Sequence, residues 1–134
     1  MSDELASICR MAQTWLDIAR ETRNAANSLL VGGMYRSCIS RAYYAAYSKV
    51  THELAFIAHL PMPPDREGPS HKRIRPVIET SMPNMQQERR EKLSELVGRL
   101  YTLRIDADYK PSVDVEGRDA REAISIMKTI FESF

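Results

Sequence analysis

The sequence predicts an all-α fold, an antiparallel up-and-down four-helix bundle with one short extra helix. Apolar residues recur at the three- and four-residue spacing of amphipathic helices along most of the 134 residues. No segment shows the alternation that is typical of a β-strand, and glycines and prolines separate the helical stretches. A chain of this length fits one domain, residues 1–134, and a bundle is the simplest packing of such helices.

The first helix is predicted to begin at the N-terminal residues, where Ser2 can cap it and Asp3 and Glu4 favour the positive end of its dipole. Its apolar residues stand at positions 5, 8, 9, 12, 15, 16, 19, 26, 29 and 30. Gly32-Gly33 ends this helix, and a second helix begins near Met34. Because the turn is so short, the two helices are expected to form a hairpin.

A proline-rich segment, residues 60–69, contains four prolines and one glycine and is predicted to be a loop. A loop of this length between bundle helices is a place to look for function. Ser70 can cap the short helix that follows, which ends before the Met82-Pro83 break. Pro76 must lie in the first turn of this helix or kink it.

Two more helices complete the predicted bundle. Asn84 and Gln87 can form a capping box for the fourth helix, which Pro111 ends. The apolar stripe of the fourth helix comprises Leu93, Leu96, Val97, Leu100, Leu103 and Ala107. A fifth helix begins near Ser112 or Asp114 and runs to the C-terminal residues. Its apolar residues are Ala120, Ala123, Ile124, Met127, Ile130, Phe131 and Phe134.

Composition and charge argue against several classes of protein. Lys and Arg number 19 and Asp and Glu number 18, so the net charge of +1 provides no general attraction to nucleic acid or membrane. The N-terminal residues lack the apolar stretch of a signal peptide, and the longest apolar run, 54–58, is too short for a transmembrane helix. We therefore expect a cytoplasmic protein without membrane association, in which Cys9 and Cys38 are reduced.

No motif for a cofactor, a metal or a hydrolytic nucleophile is found, and none of these is predicted. The di-metal site of some helical bundles requires Glu-x-x-His pairs. The three histidines instead follow other residues at that spacing: Lys49 before His52, Phe56 before His59, and Gly68 before His71.

The second helix carries a face that is polar but mostly uncharged. Its members project within a wedge of roughly 120° and are Ser37, Ser40, Arg41, Tyr44, Tyr47, Ser48 and Thr51. A helix face in bulk solvent usually carries Lys and Glu, so this face is predicted to be half-buried. Tyr43 is expected to pack across the bundle with its hydroxyl bonded by a neighbouring helix. For Arg41 with Tyr44, packing and ligand binding are equally good interpretations.

On the fourth helix, Tyr101, Arg104 and Asp108 share a narrow arc, and Tyr109 follows. An Arg with an Asp four residues later is usually an ion pair of small value, and this order is the less favourable one in a helix. The alternative is that Asp108 orients the planar guanidinium of Arg104 for a phosphate group.

A compact basic cluster follows the proline-rich loop and consists of His71, Lys72, Arg73 and Arg75. A solvated run of charges is the usual explanation, although nucleic-acid binding depends on such local cations. In a composite site, His71 would act as acid or base while Arg41 and Arg104 hold phosphate. Tyr44 would then stack on the ligand or hydrogen-bond to it. Otherwise His71 bonds a neighbouring loop.

The order of these features resembles the HEPN superfamily, in particular its small stand-alone members. A hairpin with a glycine-containing turn leads into MYRSCISRAYYAAYSKV, then SHKRIRPVI follows a proline-rich loop, and LRIDADY precedes a last amphipathic helix. The resemblance covers nearly the whole chain. It implies a HEPN-like helical bundle, a homodimer, and binding of RNA or a nucleotide in a toxin-antitoxin or phage-defence system. In some members a minimal nucleotidyltransferase is the antitoxin partner.

In ribonuclease members, an Arg followed by four to six residues and a His supplies metal-independent chemistry, with two copies meeting across the dimer. Arg104 occupies the comparable place, but Asp108 and Tyr109 stand where the His is expected. Arg66 and His71 match the spacing across the proline-rich loop, a match that we attribute to chance. The catalytic candidates are Arg104, His71 and Asp108. The candidates for RNA or nucleotide binding are Arg41, Tyr44, Tyr109, Lys72 and Arg73.

The sequence therefore predicts a HEPN-type module that binds RNA or a nucleotide, and leaves metal-independent endoribonuclease activity open. The alternative is a non-catalytic helical protein whose tyrosine-rich face binds a second copy of the chain or a nucleotidyltransferase. Protein interfaces favour Tyr, Arg and Met, and the chain contains six tyrosines and seven methionines.

Overall fold

The structure, a computed structural model, describes residues 2–56 and 68–134, with only the backbone described at positions 8, 9 and 11–13. The described residues form helices and no strand, which confirms the all-α prediction. The helices are α1 (Asp3–Val31), α2 (Tyr35–Phe56), α3 (Ile74–Ser81), α4 (Gln87–Tyr109) and α5 (Gly117–Glu132). Most of the predicted loop at 60–69, including Arg66, lies outside the described residues. None of the described helices is both long and apolar enough to cross a membrane.

The beginning and end of α1 follow the sequence prediction. The Ser2 side chain accepts a hydrogen bond from the Leu5 N–H at 3.1 Å and so caps the helix. At the other end Gly33 has a φ of 72°, a left-handed conformation that favours glycine. The Met34 N–H then donates to the Leu29 carbonyl at 2.9 Å, which closes the last turn. The chain can therefore enter α2 after a very short turn.

The second helix lies at the centre of the packing, in contact with α1, α4 and α5. Small residues on α2, among them Ala42, Ala45 and Ala46, are at most 1% exposed and allow neighbouring helices to approach closely. The predicted stripe of α4 is buried except for Leu96, which is half-buried. Burial of one large apolar side chain contributes about 1.5–3 kcal/mol, so these stripes supply much of the folding free energy.

The predicted start of the third helix is wrong. Residues 71–73 form a turn, in which the Ser70 carbonyl accepts hydrogen bonds from the N–H groups of Arg73 and Ile74 at 3.0 Å. Ser70 therefore acts through its backbone, and α3 begins only at Ile74. Pro76 lies in the first turn, where its missing N–H costs no intrahelical hydrogen bond.

The predicted starts of the last two helices also need correction. Gln86 precedes α4 without a capping side chain, so the capping box expected from Asn84 and Gln87 does not form. The fifth helix begins at Gly117 rather than near Ser112 or Asp114. Glu116 and Asp119 fix this start because each side chain accepts a hydrogen bond from the backbone of the other.

The C-terminal end of α4 is held by Arg36 from the first turn of α2. Its guanidinium donates to the carbonyl oxygens of Ala107 at 2.9 Å and Asp106 at 3.2 Å. It also donates to the Val113 carbonyl and, at longer distances, to those of Lys110 and Pro111. A cation at this position complements the negative end of the helix dipole. Arg36 thereby fixes the segment that carries the last residues of α4.

Cys38 is a free, fully buried cysteine on α2. Burial raises the pKa of its thiol, which favours the neutral form. Cys38 forms no disulfide with a described residue, and the side chain of Cys9 lies outside the described residues.

Candidate functional site

Arg104 on α4 is the centre of a polar cluster and is only 7% exposed. Its Nε donates to Asp108 Oδ2 at 2.9 Å, and its Nη2 donates to the hydroxyls of Tyr44 at 2.8 Å and Tyr109 at 3.1 Å. Asp108 and Tyr109 lie one turn further along the same helix, whereas Tyr44 comes from α2. Three partners from two helices therefore fix the plane of this guanidinium.

Tyrosine rings surround the same guanidinium. Arg104 Cζ lies 5.0 Å from the ring centre of Tyr109, 5.2 Å from that of Tyr44 and 5.8 Å from that of Tyr43, all within the range of cation–π attraction. Burial by itself lowers the pKa of Arg104, but Tyr44, Tyr109 and Asp108 raise it, and the net shift is upward. Arg104 is thus a permanent cation that its neighbours stabilise in a largely buried position.

His71 is the second functional group of the cluster, and Gly68 and Pro69 bring it there. Gly68 packs so closely on α2 that a Cβ would lie 2.7 Å from the Tyr47 hydroxyl. That hydroxyl donates to the Pro69 carbonyl. The segment before α3 is therefore held against the tyrosines of α2, and the half-buried imidazole of His71 follows two residues later.

The imidazole of His71 lies among tyrosine rings. Its ring centre is 5.1 Å from that of Tyr47, 5.4 Å from Tyr43, 5.9 Å from Tyr44 and 6.0 Å from Tyr101. The Tyr43 hydroxyl is 2.6 Å from His71 Nδ1. Tyr43 and Tyr44 therefore contact both His71 and Arg104. We call this group the tyrosine cluster, which comprises Tyr43, Tyr44, Tyr47, Tyr101 and Tyr109 with His71 and Arg104.

Tyr43 is the buried member of the tyrosine cluster, at 1% exposure. Burial is the main cause that raises its pKa, nearby tyrosines add to the shift, and Arg104 opposes it. Tyr43 therefore stays protonated at any physiological pH. It packs in the interior as the sequence predicts, and its hydroxyl partner is His71 in the turn before α3.

Asp108 holds Arg104 and is itself held by α2. Its Oδ2 accepts from Arg104 Nε at 2.9 Å and from Ser40 Oγ at 3.0 Å, and its side chain is 25% exposed. Because the guanidinium of this pair is largely buried, the pair differs from an ordinary surface ion pair. The geometry agrees with the alternative that Asp108 orients the guanidinium.

The remaining binding candidates lie outside the tyrosine cluster. Lys72 and Arg73 are exposed in the turn that directly follows His71, and Arg41 is exposed on α2, one turn before Tyr44. None of these three side chains forms a hydrogen bond or ion pair with a described residue. The structure thus brings together His71, Arg104, Asp108, Tyr44 and Tyr109, with three solvated cations nearby in sequence.

Arg75 of the basic cluster has a structural contact. Its Nε donates to Ser94 Oγ at 3.0 Å, and this buried serine donates to Glu79 Oε1 at 2.9 Å. The three side chains link α3 to α4. Gly98 leaves room for this link, because a Cβ there would lie 2.6 Å from Arg75 Nη1.

The polar face of α2 is not uniformly half-buried as predicted. Ser37 and Arg41 are exposed, Ser40 and Tyr44 are half-buried, and the later members Tyr47, Ser48 and Thr51 are buried. The sequence placed Ser40, Tyr47 and Tyr101 on these helix faces but did not identify them as residues of the site. The SRAYYAAY spacing was a signal for Tyr47, whereas nothing in the sequence relates Tyr101 to His71.

Comparisons with known proteins add no family assignment. No protein-family model matches this chain, and a search of curated proteins found no match. Within the described residues, no group of three or more His, Cys, Asp and Glu side chains could hold a metal ion. A functional proposal therefore depends on the tyrosine cluster itself.

Proposed function

We propose that this protein binds RNA through the tyrosine cluster. The observation that carries the proposal is that a fixed, permanently charged guanidinium and an imidazole contact the same two tyrosine rings, Tyr43 and Tyr44. Proteins that recognise single-stranded RNA combine cations for the phosphates with aromatic rings on which bases stack. The cluster offers both kinds of group at one place.

The guanidinium of Arg104 has a donor left for a ligand. Its Nη1 forms no hydrogen bond with a described residue, and it does not belong to the buried polar atoms without a partner, so it reaches solvent. A phosphate oxygen can accept from this group without displacing Asp108, Tyr44 or Tyr109. The charge on Arg104 is also available without any reorganisation of the side chain.

The surroundings of the cluster suit a polyanion with bases. Tyr109 is 62% exposed and presents a ring on which a base can stack. Lys72, Arg73 and Arg41 are exposed cations, as local phosphate contacts require in a protein whose net charge is only +1. Among these groups Arg104 would determine the register of the backbone, and the lysine and the other arginines would add salt-dependent affinity.

The proposal extends to the finer architecture and the biological setting. α1, α2, α4 and α5 would form the antiparallel up-and-down four-helix bundle, with α3 as the short extra helix, as in HEPN-like proteins. The resemblance of the SRAYYAAY, SHKRIRPVI and LRIDADY segments to the HEPN superfamily supports this view. It also supports a homodimer that acts in a toxin-antitoxin or phage-defence system, with a minimal nucleotidyltransferase as its partner.

A second function, metal-independent cleavage of the bound RNA, is favoured because His71 and Arg104 contact the same two tyrosine rings, Tyr43 and Tyr44. In such cleavage a 2′-hydroxyl attacks the adjacent phosphate while an imidazole accepts its proton, and a guanidinium stabilises the negative charge that develops on the phosphate oxygens. The P–O5′ bond then breaks, which leaves a 2′,3′-cyclic phosphate, and the departing 5′-oxygen takes a proton from water or from the imidazolium. His71 and Arg104 would take these two roles. Asp108 would position Arg104, since its Oδ2 already accepts from Arg104 and Ser40.

An incubation with total RNA and with tRNA, each with and without EDTA, tests both functions. The proteins to compare are the wild type, Arg104→Ala, His71→Ala and the control Arg99→Ala. Arg99 lies on the same helix, but it is 53% exposed and pairs with Glu122 away from the tyrosine cluster. RNA binding should weaken in Arg104→Ala. Cleavage should survive EDTA, disappear in Arg104→Ala and His71→Ala, and persist in the control.

Two results would contradict the proposal. Unchanged RNA affinity in both cluster variants would remove the tyrosine cluster from RNA recognition. Cleavage that requires a divalent cation would exclude the role given to His71. The interface alternative holds instead if the wild type neither binds nor cleaves RNA and the Tyr44→Ala variant no longer binds a protein partner or forms the dimer.

A further inference from the structure

A pocket of about 210 Å³ opens beside the C-terminal part of α2. It is lined by Glu53, Met82, Asn84, Met85, Arg89, Ser133 and Phe134. None of these residues belongs to the tyrosine cluster, and Glu53 is six residues, roughly 9 Å along the helix axis, beyond Tyr47, the nearest cluster member on α2.

The carboxylate of Glu53 is buried in the wall of this pocket, with the residue 8% exposed. Its Oε1 accepts from Lys49 Nζ at 2.7 Å. Its Oε2 accepts no hydrogen bond from a described residue and does not belong to the fully buried side-chain atoms that lack a partner. Because Glu53 lines the pocket, we infer that this oxygen is accessible from it. Because Glu53 is largely buried, a donor on a bound ligand can replace the few water molecules that reach this oxygen. A ligand with an ammonium group would supply that donor.

Arg89 provides the opposite charge at the rim of the pocket. It is exposed, and its Nη2 donates to the Ser133 carbonyl at 2.8 Å, which orients the guanidinium. No other hydrogen bond joins this guanidinium to a described residue, so its remaining N–H groups can bind a carboxylate. The pocket therefore combines a buried acceptor with a fixed, accessible cation.

The rest of the pocket is mainly apolar. Met82 is 3% exposed, Met85 is half-buried, and the ring of Phe134 lies 5.5 Å from Lys49 Nζ. A volume of about 210 Å³ corresponds to roughly seven water molecules, so the pocket suits a ligand with on the order of ten non-hydrogen atoms. Methionine side chains adapt readily to the shape of an apolar group.

We propose that this pocket binds a small apolar α-amino acid as the zwitterion. The ammonium would donate to Glu53 Oε2, the carboxylate would accept from Arg89, and the apolar side chain would lie against Met82, Met85 and Phe134. An amine alone would make no use of the N–H groups that Arg89 has left beside its bond to Ser133, and a carboxylic acid alone would place a negative charge beside Glu53. The zwitterion is the class of ligand that satisfies both groups.

Isothermal titration calorimetry with the full chain and L-leucine or L-methionine tests the proposal. Leucine should bind about tenfold more tightly than 3-methylbutylamine, which lacks the carboxylate, or 4-methylpentanoate, which lacks the ammonium. Equal affinity for leucine and either analogue would overturn the zwitterion assignment. No detectable binding of leucine or methionine at millimolar concentration would overturn the site.

Variants locate the binding within the pocket. Glu53→Gln keeps the shape of the side chain and should weaken leucine binding about tenfold. Arg89→Ala should have the same effect, and because Arg89 is exposed the substitution should not disturb the fold. Met85→Trp should abolish binding by filling the pocket. The matched control Arg118→Ala, an exposed arginine paired with Glu116, should bind as the wild type does. Wild-type affinity in Arg89→Ala and Met85→Trp together would overturn the proposal even if Glu53→Gln does not fold.

Discussion

Replacement of Arg36 by alanine should remove the side chain that holds the end of α4. The guanidinium donates to five backbone carbonyls, of which Ala107 at 2.9 Å and Val113 are the close ones. Hydrogen bonds from a charged donor contribute about 1.5–3 kcal/mol each. We assign the lower value to these two contacts and nothing to the three longer ones. The helix dipole adds about 0.3–1 kcal/mol. The expected loss is therefore about 3–4 kcal/mol.

Urea unfolding followed by circular dichroism measures this loss of free energy. Arg36→Lys keeps the positive charge but cannot span several carbonyls with a planar fork, so it should recover about 1 kcal/mol of the loss. The matched control is Arg41→Ala, five residues along the same helix. The side chain of Arg41 is exposed and forms no hydrogen bond with a described residue. It should change stability by less than about 0.5 kcal/mol.

A loss below about 1 kcal/mol for Arg36→Ala, with an unchanged dependence on urea concentration, would show that Arg36 does not hold the end of α4. An Arg36→Lys protein as stable as the wild type would show that the fork geometry has no importance.

Three other predictions concern buried groups. Burial raises the pKa of Tyr43, so the neutral side chain is favoured in the folded state. This contribution to stability is fully present below pH 10.0, the ordinary pKa of tyrosine, and is lost as the pH rises from there toward the pKa of the folded state. Tyr43→Phe should therefore lose less stability above pH 10.0 than the wild type, and parallel losses would contradict this cause. In a Cys9→Ser protein, the buried Cys38 should react with Ellman's reagent only on unfolding, and rapid reaction of the native state would show that it is accessible. Ser94→Ala should cost about 0.5–1.5 kcal/mol in urea unfolding, because two hydrogen bonds are lost but the exposed Arg75 and Glu79 can bind water instead. An unchanged midpoint would show that these hydrogen bonds have no net value.

Amphipathic spacing was sufficient to predict the helices and most of their buried faces. The apolar stripe from Leu93 to Ala107 is buried because the period of the helix repeats it on one side. Helix starts were predicted less well, because several residues near each start can cap and only the surrounding structure selects one. At α5 the selected cap is Glu116, which is not among the strongest N-cap residues.

The candidate site was predictable where its residues share a helix. Arg104, Asp108 and Tyr109 are neighbours by helical spacing alone, and their contacts follow from it. The contacts of Arg36 with the end of α4, at least 70 residues away in sequence, depend on how the helices pack. The pairing of Tyr43 with His71 likewise depends on the path of the chain before α3, which no local pattern specifies.

We propose that Arg104 contacts RNA from within the tyrosine cluster. The fluorescence anisotropy of a labelled single-stranded RNA tests this contact with the wild type, Arg104→Ala and Arg99→Ala, at several salt concentrations. We predict that Arg104→Ala binds about tenfold more weakly and with a shallower salt dependence, because one phosphate contact is lost. Arg99→Ala should match the wild type. Equal affinity and equal salt dependence in all three proteins would contradict the account.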